Sequence, residues 1–253
     1  MKGLFQTGEL VPGGLAASAF TDFRAERYAM TTDLIQEPSS MLAYRLRPAH
    51  GTPRSRLLLL HGVGGNETQL LKAAAALDPR IELVFVRGPL ALGPGQHAWF
   101  PVQFGPNGPS IDAARADASR LALIGLIRAL HAADGAAPLP TWIGGFSQGG
   151  IMSASVGLSS PADVRGFAIL SGRILPEIEA HLAPREALAT LDAFIAHGEY
   201  DDKLPVSWAE RADAWLTRLG VPHDTRRYPV GHQLSEAIVG DFAAWAARCA
   251  GLD

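Results

Sequence analysis

The chain has 253 residues, 47% of them hydrophobic and 19% charged, which is typical of a globular protein with a sizeable core. The formal net charge is −3 and no block of like charges stands out, which argues against a nucleic-acid partner. The single cysteine excludes an intramolecular disulfide, and no apolar run approaches the roughly 20 residues of a membrane span, so we expect a cytoplasmic protein without stable membrane association.

Regular strand and helix patterns begin near residue 41. Residues 1–40 give only a weak helical pattern, so we predict an N-terminal extension of unassigned role there and one domain over 41–253. The segments MLAYRLRP, RSRLLLLHG and IELVFVRG each predict a strand. Between the last two, the sequence predicts a helix over 67–77, with Asn66 as its N-cap and Gln69 as the reciprocal partner.

The remaining elements continue the alternation after an irregular stretch over 89–110, which is too long for a simple connection. A helix is predicted over 111–133. Strands are predicted at TWIGGF, VRGFAILSG, LDAFIAHG and DTRRYPVG, with helices at QGGIMSASVGLS, SWAERADAWLTRLG and SEAIVGDFAAWAARCA. This order predicts an α/β fold with a mostly parallel sheet and helices on both faces. Functional groups of such folds collect at the carboxyl ends of the strands.

A candidate nucleophile lies in TWIGGFSQGG, which contains Ser147 in the pattern G-x-S-x-G. Glycines at 145 and 149 suit a sharp turn in which a Cβ atom would collide with the crossing strand and helix. The pattern alone is also compatible with a glycine-rich surface turn. Its position between a predicted strand and a predicted helix favours the nucleophile.

A nucleophilic serine needs a base and an orienting acid, which follow it along the chain in the order acid, then histidine. His232 is the best base, because it follows a strand at the catalytic end of the sheet and precedes the last helix. The acid is expected after the preceding strand, where Glu199, Asp201 and Asp202 are available. Spacing alone does not choose between the two aspartates.

Stabilisation of a reacting oxyanion requires two N–H donors. One is expected from the residue after the nucleophile, Gln148, and the other from Val63 in the glycine-rich segment HGVGGNE. A phosphate-binding loop is the alternative for that segment, but it lacks the G-x-x-x-x-G-K-[ST] pattern. With no H-E-x-x-H motif or clustered carboxylates, we expect neither a metal nor a cofactor.

Four segments, LLLLHGVGGNE, GGFSQGG, AHGEYDDKLP and YPVGHQLS, together resemble the phospholipase/carboxylesterase family of α/β-hydrolases. That family includes bacterial carboxylesterases and acyl-protein thioesterases, and the resemblance covers about residue 41 to the C-terminus. It implies the α/β-hydrolase fold. The family's H-G-x-x-D-x-x-V-P stretch selects Asp201 as the acid, with Leu204 where valine is usual. The family's histidine falls on His232, and its oxyanion donors fall on the two residues named above.

The segment HAWF is similar to the aromatic motif that lines the family's acyl site. We therefore take as candidate walls of an apolar pocket Trp99, Phe100, Phe104 and Leu204. Core packing is the alternative for each aromatic side chain. The segment between 172 and 191 is too short to hold a large lid domain, so we expect an open site.

The preferred hypothesis is a carboxylesterase that cleaves small short- to medium-chain esters through an acyl-enzyme intermediate. An acyl thioesterase or lysophospholipase would use the same residues with a longer acyl channel. A non-catalytic binding protein with this fold is a third hypothesis, and the complete Ser-Asp-His set argues against it. The sequence leaves a homodimer open.

Overall fold

The fold is given by a computed structural model that describes residues 32–105 and 108–252. Its strands are Ile35–Glu37 (β1), Leu42–Arg47 (β2), Ser55–Leu60 (β3), Ile81–Arg87 (β4), Leu90–Gly93 (β5), Gln96–Ala98 (β6), Val102–Gly105 (β7), Gly108–Ile111 (β8), Thr141–Phe146 (β9), Gly166–Leu170 (β10), Asp192–Gly198 (β11) and His223–Tyr228 (β12). Its α-helices are Leu71–Ala74 (α1), Ala113–Asp134 (α2), Gln148–Ser159 (α3), Arg185–Leu188 (α4), Ser207–Leu219 (α5) and Glu236–Cys249 (α6).

Eight of the strands form the central sheet, in the order β1-β2-β4-β3-β9-β10-β11-β12. Strand β2 runs antiparallel to both of its neighbours, and every other neighbouring pair is parallel. The predicted mostly parallel α/β sheet is therefore confirmed. The carboxyl ends of β3, β9, β10, β11 and β12 meet at one edge, where the functional groups of such folds collect.

Two apolar cores cover the two faces of the sheet. Successive side chains of a strand point to opposite faces, so Leu58 and Leu60 of β3 join the core formed with α2, α3 and α5. Leu57 and Leu59 join the other core, with α1 and α6. None of the described helices has the length and apolar character needed to cross a membrane.

Three local features differ from or add to the sequence predictions. The helix predicted over 67–77 is wrong in extent, because α1 spans only Leu71–Ala74. The Gln69 side chain does not cap it but accepts a hydrogen bond from the backbone N–H of Gly62 at 2.8 Å. The stretch predicted as irregular contains two hairpins, β5–β6 and β7–β8. Strand β1 pairs with β2 ahead of residue 41, and the division of the chain at residue 40 stays a prediction.

Candidate active site

Ser147 lies on a sharp turn between β9 and α3, with φ 54° and ψ −116°. This conformation costs an L-residue on the order of 1–3 kcal/mol, and surrounding contacts must enforce it. Its N–H donates to the carbonyl oxygen of Leu170 at 2.8 Å. A Cβ atom on Gly145 would lie 2.7 Å from the carbonyl oxygen of Leu60, and one on Gly149 would overlap that same oxygen. The predicted reason for both glycines is therefore met in the structure.

A continuous hydrogen-bonded chain joins the three residues that the sequence analysis selected. His232, in the loop between β12 and α6, lies with Nε2 2.9 Å from Ser147 Oγ. Its Nδ1 lies 2.6 Å from Asp201 Oδ2. The imidazole packs against the Phe146 ring, with the ring centroids 4.9 Å apart. The arrangement can transfer a proton from the serine hydroxyl to the imidazole.

The two neighbouring aspartates have different surroundings. The Asp201 side chain is fully buried, and its Oδ1 accepts hydrogen bonds from the backbone N–H groups of Lys203 at 2.9 Å and Leu204 at 2.8 Å. The Asp202 side chain is 73% exposed and lies 3.3 Å from the ammonium group of Lys203. Asp201 therefore contacts His232, as the family resemblance implied.

A second histidine lies next to the Asp201 carboxylate. His197, at the end of β11, donates from Nε2 to the carbonyl oxygen of Leu204 at 2.7 Å and lies 3.4 Å from Asp201 Oδ2. Burial lowers the pKa of His197, so the ring is neutral near pH 7. His197 was not among the predicted site residues. The shared loop 199–206 brings it next to the carboxylate.

The two predicted oxyanion donors lie beside Ser147 and line the same cavity. Within the described residues, neither the Val63 N–H nor the Gln148 N–H donates to a protein acceptor. Gln148 is also the first residue of α3, where backbone N–H groups have no intrahelical partner and the helix dipole favours negative charge. Gly64 has φ +77°, a left-handed conformation that lets the loop after β3 turn back toward the serine.

Buried polar side chains hold that loop in place. The Gly88 N–H donates to His61 Nε2 at 2.8 Å, and His61 Nδ1 lies 2.7 Å from the Gly62 carbonyl oxygen. Burial lowers the pKa of His61 to about 4, so it is neutral at pH 7 and can accept the first of these bonds. Together with Gln69, which binds the Gly62 N–H, His61 fixes the backbone that leads into Val63.

The Gln148 side chain ties the hairpin region to the serine turn. Its Oε1 accepts from the Trp99 N–H and its Nε2 donates to the Phe100 carbonyl oxygen, both at 2.8 Å. The sequence analysis assigned this glutamine only a backbone role. It could not show the side-chain contacts, because they span almost fifty residues of chain.

An apolar cavity of about 290 Å³ opens next to Ser147. Its apolar walls are Phe100, Val102, Ile111, Phe146, Ile151 and Leu204. Phe100 and Leu204 were predicted there. Trp99 was also predicted as a wall, and the structure corrects this. Its indole is buried in the core and donates from Nε1 to the His61 carbonyl oxygen at 2.9 Å. Phe104 lies in β7, and its side chain falls outside the described part of the chain.

Two charged side chains in this wall, Arg173 and Lys203, were not among the predicted site residues. Arg173 lines the cavity and is only 7% exposed. The one available signal was an arginine among apolar residues just past the end of a central strand. In the described ranges, no group of three or more His, Cys, Asp or Glu side chains is arranged to hold a metal ion.

Comparison with known proteins identifies the family of the chain. The sequence profile of the family described as Phospholipase/Carboxylesterase matches residues 46–249. Acyl-protein thioesterase 1 from Mycosarcoma maydis is 28% identical over 193 residues, covering 68% of this chain and 79% of that protein.

Solved structures share the fold. A carboxylesterase from Mesorhizobium loti has a TM-score of 0.72 and 25% identity, covering 86% of this chain and 99% of that chain. The Bacillus cereus carboxylesterase shares the fold, with a TM-score of 0.71 and 21% identity over 83% of this chain and 95% of that one. The match over most of its length shows that this chain belongs to the phospholipase/carboxylesterase family of serine hydrolases, with the α/β-hydrolase fold.

Proposed function

We propose that the protein is a carboxylesterase that acts through an acyl-enzyme intermediate on Ser147. The observation that carries the proposal is the hydrogen-bonded chain from Asp201 through His232 to Ser147, which ends in an apolar cavity. Two backbone N–H groups that have no acceptor among the described residues lie beside it. A binding protein has no need for this chain. The carboxylesterase from Mesorhizobium loti supports the same reaction class.

In the proposed mechanism, His232 Nε2 takes the proton of Ser147 as its oxygen attacks the ester carbonyl. The oxyanion that forms accepts hydrogen bonds from the N–H groups of Val63 and Gln148. Asp201 Oδ2 holds the Nδ1 proton and stabilises the imidazolium. The imidazolium then protonates the leaving alkoxide. A water molecule, deprotonated by the same imidazole, releases the acid and regenerates the serine.

The cavity favours small acyl groups. About 290 Å³ is at the lower end of the range for small-molecule sites, and the walls beside Ser147 are mostly apolar. We therefore assign short- to medium-chain carboxylic esters as the substrates. An acyl thioesterase is the second candidate, because the same groups can attack a thioester carbonyl and a relative is described as acyl-protein thioesterase 1.

Replacement of Ser147 by alanine tests the proposal. We expect kcat for 4-nitrophenyl butyrate to fall by on the order of 10⁶-fold, because the nucleophile is removed. A fluorophosphonate probe should label Ser147 in the wild type, as read by peptide mass spectrometry. Ser155→Ala is the matched control, since Ser155 is a buried serine of α3, the helix that follows Ser147.

Retained turnover in Ser147→Ala, or labelling of a different serine, would contradict the assignment. A series of 4-nitrophenyl esters and S-acyl thioesters of rising chain length separates the two candidate functions. A small ester is the only partner that the proposal requires. Cytoplasmic localisation and a homodimer stay predictions, which microscopy of the tagged protein and sedimentation would test.

A further inference from the structure

Arg173 is held close to the nucleophile by the backbone that precedes it. Ser171, just after β10, has φ 50°, and its N–H donates to the Ala196 carbonyl oxygen at 2.8 Å. Gly172 then passes Ser147 so closely that an added Cβ would lie 3.0 Å from the Ser147 carbonyl oxygen. The next residue, Arg173, therefore lies in the wall of the cavity.

In the part of the chain that the structure describes, no counter-ion contacts the Arg173 guanidinium. Within the described residues it makes no hydrogen bond and no salt bridge, and its Nε is buried without a partner. It lies 4.7 Å from the centre of the Trp208 ring. The exposed Glu177 acts on it only at longer range. Burial lowers its pKa, but an arginine remains charged at neutral pH.

The electrostatic balance of the cavity favours an anion. Among the described residues no carboxylate lines it, because Asp201 is enclosed behind His232 and already accepts three hydrogen bonds. Lys203 contributes a second cation at the cavity wall, but it is exposed and lies against Asp202. An unpaired buried charge is unfavourable, and a bound anion would offset that cost.

We propose that the site selects esters that carry a carboxylate in addition to the ester group, and that Arg173 binds this carboxylate. The inference rests on the proposed esterase function and names its substrate class. A guanidinium binds a planar carboxylate through two parallel hydrogen bonds, and the apolar walls suit the alkyl segment between the two groups. The carboxylate can belong to the acyl chain, as in the monoester of a dicarboxylic acid, or to the alcohol.

The competing explanation is that Arg173 only packs against Trp208. Arg211 provides a matched control for this, because its guanidinium lies 4.6 Å from the centre of the same ring. Arg211 is exposed and is not a wall of the cavity. A purely structural arginine would also be needed for stability, whereas methionine in place of an unpaired buried cation should leave the melting temperature unchanged or raise it.

The experiment compares three chromogenic esters in the wild type, Arg173→Met, Arg173→Lys and Arg211→Met. The neutral reference is 4-nitrophenyl hexanoate. Mono-4-nitrophenyl adipate carries the carboxylate on the acyl chain, and 3-carboxy-4-nitrophenyl hexanoate carries it on the leaving group. The quantity measured is the ratio of kcat/KM for each charged ester to that for the neutral ester.

We expect the wild-type ratio to exceed one for at least one charged ester and to fall about 10- to 100-fold in Arg173→Met, mainly through KM. Arg173→Lys should restore part of it, and Arg211→Met should keep it. The charged ester that shows the effect identifies which side of the substrate carries the carboxylate. Wild-type ratios of one or less for both esters, or equal ratios in the wild type and Arg173→Met, would overturn the inference.

A binding measurement separates this inference from the esterase function. The 4-nitroanilides of adipic and hexanoic acid replace the ester with an amide, so calorimetry with them needs no turnover. Even if no ester were hydrolysed, tighter binding of the adipic anilide that is lost in Arg173→Met would support anion selection. Equal binding of the two anilides by the wild type would refute selection of a carboxylate on the acyl chain, and the ratio for 3-carboxy-4-nitrophenyl hexanoate would then decide the inference alone.

Discussion

Asparagine in place of Asp201 should hold His232 in the wrong tautomer. The carboxylate Oδ1 accepts hydrogen bonds from the backbone N–H groups of Lys203 and Leu204, so the amide oxygen of an asparagine would take that position. Its NH₂ group would then face His232 Nδ1, which the carboxylate Oδ2 now approaches to 2.6 Å. Nδ1 would become the acceptor, and Nε2 would carry the hydrogen and could not take the proton of Ser147.

The expected loss in Asp201→Asn is on the order of 10⁴-fold in kcat, the size found for such a tautomer change in a serine protease. Asp202→Asn is the matched control and should stay within about tenfold of wild type, because screened surface charges contribute little. Both changes replace one carboxylate by an amide on the same loop. The assay is kcat with 4-nitrophenyl butyrate, and circular dichroism and melting temperature verify that each variant is folded.

Two results would refute this reasoning. If Asp202→Asn were inactive and Asp201→Asn active, the acid that binds His232 would be Asp202 and not Asp201. If both variants kept their activity, the orienting acid would have to lie elsewhere and the proposed triad would fail. A fluorophosphonate labelling rate, measured alongside kcat, shows whether the loss occurs in activation of Ser147.

The remaining predictions concern stability. Gln148→Ala should lower the free energy of unfolding by about 3 kcal/mol in urea, because two buried backbone groups lose their partners. Burial lowers the pKa of His61 to about 4, against about 6.5 in the unfolded chain. The contribution of the neutral ring to stability is therefore complete above pH 6.5 and is lost as the pH falls toward 4. We expect this group to lower the free energy of unfolding by about 3 kcal/mol at pH 4. In His61→Asn the free energy of unfolding should fall less steeply as the pH decreases. Gly149→Ala should prevent soluble expression, because its Cβ would overlap the Leu60 carbonyl oxygen. In Gly240→Ala no atom of the described residues lies within 4 Å of the new Cβ. This substitution within α6 should therefore raise the free energy of unfolding, measured by thermal unfolding, by about 0.5–1 kcal/mol.

The elements that the sequence predicted correctly are those whose signals are local. Strands such as Ser55–Leu60 are short buried apolar runs, and the serine turn is defined by five consecutive residues. The order of nucleophile, acid and base along the chain then pointed to His232, since each must follow a strand. Choosing Asp201 over its neighbour required the family pattern, because two consecutive aspartates have the same chemistry.

Two of the failures involve side-chain hydrogen bonds to backbone groups outside the element in which the side chain was placed. Gln69 looked like a helix-capping residue, but its amide binds the Gly62 N–H and the helix begins later. Trp99 looked like a pocket wall, but its indole N–H binds the carbonyl oxygen of His61, 38 residues away. In both cases a tertiary hydrogen bond overrode a local preference, and no periodicity or motif records such a bond.

The order of the strands places the residues proposed for catalysis and the residue proposed for substrate selection after different strands of one sheet edge. The oxyanion loop with Val63 follows β3, Ser147 follows β9, Asp201 follows β11 and His232 follows β12. Strand β10 lies between β9 and β11, and its end supplies no part of the proposed triad or oxyanion hole. The segment that follows β10 places Arg173 in the wall of the cavity. A change there can alter which esters are accepted without touching the hydrogen bonds of the triad, so selectivity and turnover should respond to different substitutions.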